Sequence, residues 1–464
     1  MKERKTNIYD PFFLNSILFA TEVFEEQIPK SFGKYFWDSP FFRILLLYVK
    51  LFLKAIVRTP IRCWFFSSRD YCSLLNNKIV FLLTTLNNLK ALQDVISDVK
   101  SKKDNVLVID ANNSYTYYPM FLLLAYSIKS IPSFFLKYKS LPKREKRIVN
   151  YYMMNFLLSS SYVWYYKKIF GKCKPESIVL ANDHSYDRRA LIYRCEEFNI
   201  TTIYIQHASV SYAFPELHFT YSFLDGKDAL EKYTSHGKEL YGKVISLGAV
   251  RYDNLSSLQK MRLNWSNSNC IGIAINELDS NEEANNFCNY LLQVFPDIKI
   301  IIRSHPAMKK RPFVFDNKDR IIYTCATDET IIDYLKSVDI QISGDSGIHL
   351  DAIIAGTPTL AYDFTGEGYG DNYGYVKIGL LSLYNTEEEL TNAISLYFNN
   401  SSNFHPNEEI VRCFDESYGK SYAGMSHKVV SNFILCGYNL DWLKKEYRLE
   451  ERIINNTSYL VIPE

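Results

Sequence analysis

The sequence predicts an α/β protein of two parallel-sheet domains, and three features of the chain support this prediction. Short apolar runs rich in β-branched residues recur, segments of helical periodicity lie between them, and a polar stretch at 253–268 separates two such series. Short buried strands that alternate with helices are typical of parallel sheets built from βαβ units. We therefore expect two Rossmann-like domains that face a cleft, with a helical segment before them and closing helices at about 407–450.

The first series predicts the strands of the N-terminal domain. Between 111 and 170 the sequence is rich in Tyr, Phe and Lys and is mostly helical in its period. The predicted strands are KIVFLLT (78–84), NVLVID (105–110), SIVLAN (177–182), TIYIQ (202–206), FTYSFL (219–224) and KVISL (243–247).

The second series predicts the strands of the C-terminal domain, with helices at 281–294 and 328–337 between them. These strands are CIGIAI (270–275), IKIIIRS (298–304), RIIYT (320–324), DIQISG (339–344) and TPTLAYD (357–363). The predicted organisation is an amphipathic helical segment at 1–72, an N-terminal domain at 73–252, a linker at 253–268 and a C-terminal domain at 269–464.

Composition excludes several classes of protein. Hydrophobic residues make up 47% of the chain and charged residues 22%, which excludes a disordered protein. The chain has 53 basic and 51 acidic residues, which gives a formal charge of +2. This net charge is too small to indicate a nucleic-acid partner. The nine cysteines form no CxxC pair, and their odd number indicates reduced thiols in the cytoplasm. The start MKERKTNIYDPFF lacks the apolar region of a secretory signal, which agrees with a cytoplasmic location.

The most apolar run lies at 41–57 and predicts an amphipathic helix. It is shorter than the about 20 residues that a spanning helix needs, and it carries Arg43, Lys50 and Lys54. These cations stand at i, i+7 and i+11 and therefore share one helical face. A cationic stripe beside apolar residues is typical of a helix that lies in a membrane interface. The alternative is a helix packed on the protein core with a solvated basic face.

The motif that most specifically indicates a binding site is a turn between the strand DIQISG and a predicted helix. Free N–H groups at the helix start, two hydroxyls and two glycines predict a site for a diphosphate or a phosphate-linked sugar. The alternative is a capped turn in which Ser346 acts only as the helix N-cap. A Gly-Thr-Pro turn then leads into the next strand. The candidate donor-binding residues of this region are Ser343, Asp345, Ser346, Gly347 and Thr357.

Arg303 and His305 stand at the end of the strand IKIIIRS, and a basic run at 309–311 follows them. An Arg fork and a His at a strand end can both donate hydrogen bonds to phosphate oxygens. The alternative is a loop His beside a solvated basic run. Arg251, in the segment GAVRYD after the strand KVISL, is a further candidate for the same phosphates.

Two strand ends of the N-terminal domain carry a carboxylate and two imidazoles. Asp183 and His184 follow the strand SIVLAN, and His207 follows the strand TIYIQ. Because the carboxyl ends of parallel strands meet at one edge of a sheet, these groups can act as a general base on an acceptor hydroxyl. The alternative is that they are hydrogen-bonded loop residues that shape the cleft.

The motifs that the sequence lacks narrow the chemistry. It has no GxxxxGK[ST] phosphate loop, no HExxH zinc motif and no GxSxG nucleophile elbow. No GxGxxG follows the first strand, which argues against a dinucleotide cofactor. No DxD stands at a strand end, so we expect a reaction that needs neither metal nor cofactor.

The order QHA, GAVRYD, RSHP, then SGDSG and GTP resembles bacterial glycosyltransferases of the GT-B fold. The groups it resembles are surface-polysaccharide and capsule enzymes, namely CMP-sugar transferases for Kdo and nonulosonic acids and the CDP-glycerol glycerophosphotransferases. The resemblance covers about residues 177–365, with QHA in place of the commoner QHG. It implies that His305, Ser343 and Ser346 contact the donor and that Asp183 or His207 is the base.

The resemblance implies transfer of a sugar, expected to be a CMP-linked acidic sugar, from a nucleotide donor to a glycan or lipid-linked acceptor. The protein would work in the cytoplasm, peripherally on the inner membrane. One alternative is a UDP-N-acetylglucosamine 2-epimerase, although His349 and Asp351 stand where that family has paired acids. The others are a CDP-alditol phosphotransferase and a scaffold that binds lipid-linked glycan without chemistry.

Overall fold

The computed structural model of the chain describes residues 10–20, 23–58, 68–110, 120–212, 214–235, 240–262, 269–276, 279–305, 308, 319–399 and 406–463. The contacts between residues divide the chain into two compact units. The first unit extends to Leu224 and adds Asp228–Ser246 and Lys428–Pro463. The second unit comprises Asp225–Lys227 and Leu247–His427.

Both units are built on sheets, and their strands are short and mostly buried. In chain order they are β1 (Ile79–Leu82), β2 (Val106–Ile109), β3 (Ser177–Leu180), β4 (Thr201–Ile205), β5 (His218–Leu224), β6 (Tyr241–Ser246), β7 (Cys270–Ile275), β8 (Lys299–Ser304), β9 (Ile321–Cys325), β10 (Ile340–Ser343), β11 (Thr359–Tyr362), β12 (Leu383–Tyr384), β13 (Glu450–Ile454) and β14 (Thr457–Val461).

The first unit holds an eight-stranded sheet in the order β2-β1-β3-β4-β5-β6-β14-β13. All its pairs are parallel except the hairpin of β13 and β14. β1 pairs with β2 on one side and with β3 on the other, so the strand order reverses between β1 and β3. Ligands of open α/β sheets bind outside the carboxyl ends of the strands at such a reversal.

The second unit holds a six-stranded parallel sheet in the order β12-β11-β10-β7-β8-β9. Here the order reverses between β7 and β10, which are neighbours. Every residue of β7 and of β10 is buried. β7 is apolar throughout, as expected of a strand that is covered on both faces. β10 also buries Gln341 and Ser343, whose side chains donate to the carbonyls of Ile342 and Ala274.

Helices cover both sheets. Those of the first unit are Pro11–Leu14, Ile17–Ala20, Val23–Glu26, Pro40–Arg58, Ser68–Leu75, Leu86–Lys102, Met120–Ser140, Lys143–Tyr151, Met153–Phe170, Tyr186–Glu197 and Leu440–Glu446. The helix Lys227–Thr234 begins with the last residue of a short segment of the second unit and otherwise belongs to the first. Those of the second unit are Asp253–Arg262, Asn281–Val294, Ile331–Lys336, Ile348–Ile354, Glu387–Asn399 and Glu408–Phe414. The helix Ser426–Leu435 begins in the second unit and continues in the first.

The α/β fold class is confirmed, and every strand that the apolar runs predict is present. The predicted linker at 253–268 differs, because Asp253–Arg262 is a helix whose Leu255 and Leu258 are buried; residues 263–268 lie outside the described part. The C-terminal domain also differs, since Lys428–Pro463 belongs to the first unit. The reason is that β14 extends the first sheet beside β6.

The N-terminal helices are part of the first unit rather than a separate segment at 1–72. Phe12 is buried, with its ring centroid 5.7 Å from that of Phe134 and 5.3 Å from that of Phe156. Leu18 and Ile28 are buried in the same cluster. Much of the aromatic content of the chain therefore serves the packing of these helices.

The helix predicted at 41–57 is present as Pro40–Arg58, and Arg43, the first residue of the predicted basic stripe, is hydrogen-bonded within the unit. Arg43 donates from Nε to the carbonyl of Asn150 (3.2 Å) and from Nη2 to that of Tyr151 (2.8 Å). Lys50 is exposed, whereas the side chain of Lys54 lies outside the described residues. In the part of the chain that the structure describes, no helix has the length and apolarity needed to cross a bilayer.

Candidate functional site

Polar side chains gather where the strand order of the first sheet reverses. Thr84 follows β1 and Asp183 follows β3. The backbone N–H of His184 donates to Oδ1 of Asn182 at 2.9 Å, which holds the turn after β3. His207 follows β4, the neighbour of β3, as the sequence predicts. Asp183, His184 and His207, the three residues predicted as candidate bases, thus lie at the carboxyl ends of the adjacent strands β3 and β4.

Asp183 is the most deeply buried member of this group, with 1% of its surface exposed. Nδ1 of His184 lies 2.8 Å from Oδ1 of Asp183, at an angle outside the range of a hydrogen bond. Among the described residues, no group donates a hydrogen bond to either oxygen of this carboxylate. A buried carboxylate that accepts no hydrogen bond is costly for the folded state.

His184 differs from Asp183 in its access to solvent. Its side chain is 21% exposed, and its ring centroid lies 3.9 Å from that of Phe214. The contact with Phe214 limits rotation of the imidazole. The pair therefore consists of a buried carboxylate and, beside it, a partly exposed imidazole.

Arg188 lies at the same edge, in the helix that follows β3. It belongs to the first turn of the helix Tyr186–Glu197 and is 6% exposed. Its Nε lies 3.5 Å from Oγ1 of Thr84, and its Nη1 lies 3.4 Å from Oδ2 of Asp187. In the sequence, an Arg soon after a strand end looks the same whether it is buried at the sheet edge, as here, or exposed to solvent at the start of a helix.

In the second unit, the turn at 343–347 follows β10 at the reversal of the strand order. Ser343 donates its hydroxyl to the carbonyl of Ala274 in β7 at 2.8 Å. His349 is fully buried; its Nε2 lies 2.9 Å from the carbonyl of Gly344 and its Nδ1 lies 2.6 Å from Oγ1 of Thr359. Burial lowers the pKa of His349 to about 4. The neutral ring therefore donates to Gly344 and accepts from Thr359, which fixes the turn.

The helix after this turn begins at Ile348, and its N-cap is Gly347. Oγ of Ser346 lies 3.4 Å from the N–H of Ile348, the long end of hydrogen-bond range. Ser346 is half-buried and does not satisfy the first turn of the helix as a strong N-cap would. Its hydroxyl remains able to bind a ligand.

A glycine- and tyrosine-rich loop at 366–374 lies against the turn, and the sequence analysis did not identify it. Oδ2 of Asp345 accepts from both the backbone N–H and Nδ2 of Asn372, each at 2.6 Å. A Cβ built on Gly347 would lie 3.7 Å from the hydroxyl of Tyr373. Burial raises the pKa of Tyr373, so this hydroxyl stays protonated. The repeated Gly and Tyr of GEGYGDNYG was the available signal.

Asp279 adds a carboxylate to the same edge and was also missed. Its Oδ2 accepts from the N–H of Asn276 at 2.7 Å, and a Cβ on Gly344 would lie 2.9 Å from its Oδ1. Burial raises the pKa of Asp279 to about 6, although the Asn276 hydrogen bond lowers it. Gly344 thus makes room for this carboxyl group, which is partly protonated near neutral pH.

His305 is exposed at the carboxyl end of β8, and its backbone N–H donates to the carbonyl of Ile275 at the end of β7. Only β7 separates β8 from β10, so His305 stands about 10 Å from the turn, two strand spacings away. The structure therefore brings His305 and Ser343 to one edge. Pro306 and the basic run at 309–311 lie outside the described residues.

Arg303 and Arg251, both predicted to bind the donor phosphates, instead contact acidic residues of the protein. The guanidinium of Arg303 donates to the carbonyl of Glu329 at 3.2 Å and to its Oε2 at 3.3 Å, and it is 8% exposed. Arg251 pairs with Asp225 inside the second unit. Each guanidinium is thus held by an acidic residue of its own unit, and neither is presented as an open phosphate ligand.

Thr357 does not lie beside the turn. Ser343 pairs with Ala361 of β11, and Thr357 stands four residues before Ala361. A strand rises about 3.3 Å per residue, so Thr357 lies about 13 Å away along the strand, toward the amino edge of the sheet. Because the helix Ile348–Ile354 returns the chain to that edge, the Gly-Thr-Pro turn serves the fold.

No protein-family model matches the sequence, and no curated protein matches it significantly. Solved structures are similar in fold. The UDP-GlcNAc 2-epimerase from Neisseria meningitidis bound to UDP-GlcNAc has a TM-score of 0.49 and 12% identity, over 77% of this chain and 100% of that one. The S. aureus MnaA–UDP structure has a TM-score of 0.48 and 14% identity, over 78% and 97%. The wall teichoic acid polymerase TagF with CDPG has a TM-score of 0.48 and 11% identity, over 86% and 99%. These likenesses are to the overall fold and transfer no activity to this chain.

The described residues contain no group of three or more His, Cys, Asp or Glu side chains placed to hold a metal ion. What the two edges offer is acid–base chemistry and hydrogen bonding. The first unit supplies the carboxylate–imidazole pair of Asp183 and His184. The second supplies hydroxyls, amides and the Asp279 carboxyl group around Gly344. Such an edge suits a ligand rich in hydroxyl and phosphate oxygens.

Proposed function

We propose that this chain is an enzyme that transfers a sugar from a nucleotide donor to an acceptor hydroxyl, with His184 as the general base. The observation that carries the proposal is the contact between His184 and the buried Asp183 at the edge of the first sheet. The second unit would bind the donor through His305 and the turn at 343–347. This division of roles follows the resemblance of the motifs to GT-B glycosyltransferases.

In the proposed reaction the acceptor hydroxyl gives its proton to Nε2 of His184. Its oxygen then bonds to the anomeric carbon of the sugar, and the bond between that carbon and the donor phosphate oxygen breaks, so that the nucleotide leaves with the electron pair. Asp183 acts as a positioning residue, because its carboxylate stabilises the imidazolium that forms. Hydrogen-bond donors near Ser346 and His305 would stabilise the charge that develops on the leaving phosphate.

For the donor we propose a CMP-linked acidic sugar, and for the acceptor a glycan or lipid-linked glycan at the inner membrane. Stabilisation by nucleotides discriminates among the candidates, since a ligand that binds the folded state raises the melting temperature by mass action. We expect CMP to raise it more than CDP, UDP or GDP. Stabilisation by UDP alone, with an epimerised UDP-sugar as product, would assign the chain to the 2-epimerases instead. Preference for CDP would favour alditol phosphate transfer.

The assignment of the base is tested by kinetics on matched variants. We expect His184→Ala to lower turnover by a factor of about 10²–10⁴ while nucleotide affinity stays unchanged. Asp183→Asn should lower turnover by a smaller factor, because a neutral amide no longer stabilises the imidazolium that forms during transfer. His207→Ala is the control at the neighbouring strand end. If His207→Ala loses turnover and His184→Ala does not, the base is His207.

The donor half is tested by binding. His305→Ala should weaken nucleotide binding by about 10- to 150-fold, the effect of losing one charge-assisted hydrogen bond. Normal affinity in a folded His305→Ala protein would remove His305 from the donor site. We also propose that transfer needs no metal. Activity should therefore persist in EDTA, and a loss that Mg²⁺ or Mn²⁺ restores would contradict that part of the proposal.

A further inference from the structure

The helical part of the first unit contains a pocket with a strong positive charge. The pocket has a volume of about 570 Å³. It is lined by Glu25, Phe32, Gly33, Lys143, Arg144, Lys146, Arg147 and Asn150, which we call the basic pocket. Four cations and one carboxylate leave its lining with a formal charge of +3. The protein as a whole carries only +2, so this charge is local.

The cations of the basic pocket outnumber the carboxylates of its lining. Nε of Arg144 lies 2.6 Å from Oε2 of Glu25, and Nη1 of Arg147 lies 3.9 Å from Oε1 of the same residue. Lys146 donates to the carbonyl of Lys139 at 2.9 Å, which satisfies a donor and leaves the charge in place. Glu25 thus contacts two guanidinium groups and is the one acidic residue of the lining.

The position of these cations in their helix is electrostatically unfavourable. They occupy the beginning of the helix Lys143–Tyr151, where the helix dipole presents its positive end. Pro142 is the N-cap, and no side chain caps the first turn. Glu145 is the single acidic residue of that turn. A bound anion would relieve the repulsion among the cations at this end of the helix.

An exposed apolar surface lies on the helix Pro40–Arg58 of the same unit. Each of its side chains is at least half exposed. The surface consists of Phe41, Leu45, Leu46, Val49, Phe52 and Leu53, which we call the apolar face. The helix is held on its other side, where Leu51 is buried. A contiguous apolar surface of this kind marks an interaction site.

Arg43 joins the apolar face to the basic pocket. It belongs to the helix of the apolar face and donates to the carbonyls of Asn150 and Tyr151, at the end of the helix that carries the pocket. Its guanidinium also lies 5.2 Å from the ring centroid of Phe32, a residue of the pocket lining. The two features are therefore parts of one packed body within the first unit.

We propose that this surface binds a bilayer that contains anionic phospholipid, with the lipid phosphate in the basic pocket and the apolar face at the hydrocarbon boundary. A phosphate that carries an acyl tail matches a cationic pocket beside an apolar helix in both charge and polarity. Each basic residue near an anionic bilayer and each buried apolar group adds to the binding. The proposal does not depend on the transfer reaction, so either can fail alone.

The experiment is flotation of the full chain with vesicles of phosphatidylcholine, alone or mixed with phosphatidic acid. The pocket variant is Lys143→Glu with Lys146→Glu, which keeps the pair of Arg144 and Glu25. Its matched control is Lys100→Glu with Lys102→Glu, an equal charge change at exposed positions of the same unit. The variant of the apolar face is Leu45→Gln with Val49→Gln. Circular dichroism and melting temperature establish that each variant is folded.

We expect wild type and control to float with the mixed vesicles, and the pocket variant to bind at least about 10-fold more weakly. The variant of the apolar face should also bind more weakly, and phosphatidylcholine alone should recruit little protein. An equal loss in the control would overturn the role of the pocket, since general surface charge would then suffice. Titration with inorganic phosphate gives a further arm. Binding of phosphate without binding of vesicles would overturn the lipid proposal. The proposal would also be overturned if the wild type is a dimer and the variant Leu45→Gln with Val49→Gln is a monomer, because the apolar face would then be a dimer interface.

Discussion

A single buried side chain, His349, holds the turn at the carboxyl end of β10. Its ring bridges the carbonyl of Gly344 and the hydroxyl of Thr359, and both contacts need the neutral imidazole. In the unfolded chain the pKa of a His is about 6.5, and burial lowers the pKa of His349 to about 4. Between these values the unfolded state binds more protons. This residue therefore stabilises the protein above pH 6.5 and loses that contribution as the pH falls to 4.

We expect His349→Gln to flatten the pH dependence of the free energy of unfolding of the second unit. Relative to the variant, the wild type should lose about 3 kcal/mol between pH 6.5 and 4. Asp279 and Asp415 act in the opposite sense, because burial raises the pKa of each to about 6 and their contribution is lost as the pH rises. Urea unfolding of both proteins across this pH range isolates the difference. Parallel pH profiles would contradict the role of His349.

The turn that contains GAVRYD shows how one element depends on a close approach. Gly248 has φ +96°, and a Cβ there would lie 2.5 Å from Oδ1 of Asp415. That same oxygen accepts from the N–H of Ala249 at 3.2 Å. Asp253 then accepts from the backbone N–H groups of Ser426 and His427, at the start of the helix Ser426–Leu435. The motif therefore joins segments of the second unit that are distant in sequence.

Gly248→Ala should destabilise the second unit by about 3 kcal/mol or more, since left-handed strain and a steric clash add. Gly374→Ala is the matched control. Gly374 has φ +77°, and no described residue has an atom within 4 Å of the position that its Cβ would take, so this substitution should cost only about 1 kcal/mol. Thermal and urea unfolding measure both variants. Equal losses would show that the contact with Asp415 is unimportant.

At the scale of the whole molecule, the chain forms the first unit, then the second, and returns to the first through the helix Ser426–Leu435. The returning segment ends in β14, which pairs with β6, while β13 forms the edge of the sheet. Leu460 and Val461 of β14 are buried, with 4% and 0% of their surface exposed. The C-terminal segment is therefore structural for the unit that the N-terminal part begins.

Deletion of residues 447–464 should destabilise the first unit by roughly 5 kcal/mol, from the loss of the apolar groups that β14 buries. Hydrogen exchange should show lost protection in the amides of β5 and β6, because β6 becomes an edge strand. The amides of β7 and β10 should keep their protection, since both strands belong to the second unit. Lost protection in β7 and β10 would indicate instead that the two units unfold together.

The strands that the sequence predicted share a physical property. Those from β1 to β11 contain continuous apolar runs or alternate about a buried face, so periodicity reveals them. The C-terminal hairpin escaped prediction because the first four residues of β13 are exposed and three of the five residues of its sequence, EERII, are charged. Its place in the first sheet depends on pairing with β6, about 200 residues earlier in the chain. Local sequence does not encode such a partner.

By itself the sequence determined the α/β class, the two series of strands, and the strand ends at which polar groups gather. It could do so because strand direction in a parallel sheet assigns each loop to an edge. Only the tertiary structure decided which of those groups are engaged. Arg251 and Arg303 each contact an acidic residue that is 26 positions away in the sequence. Among the described residues, His184 is the one that lies within ion-pair distance of the Asp183 carboxylate, and it is the next residue in the chain. The sequence determines which side chains carry a charge, but the residue that pairs with each charge depends on packing between segments that are distant in the sequence.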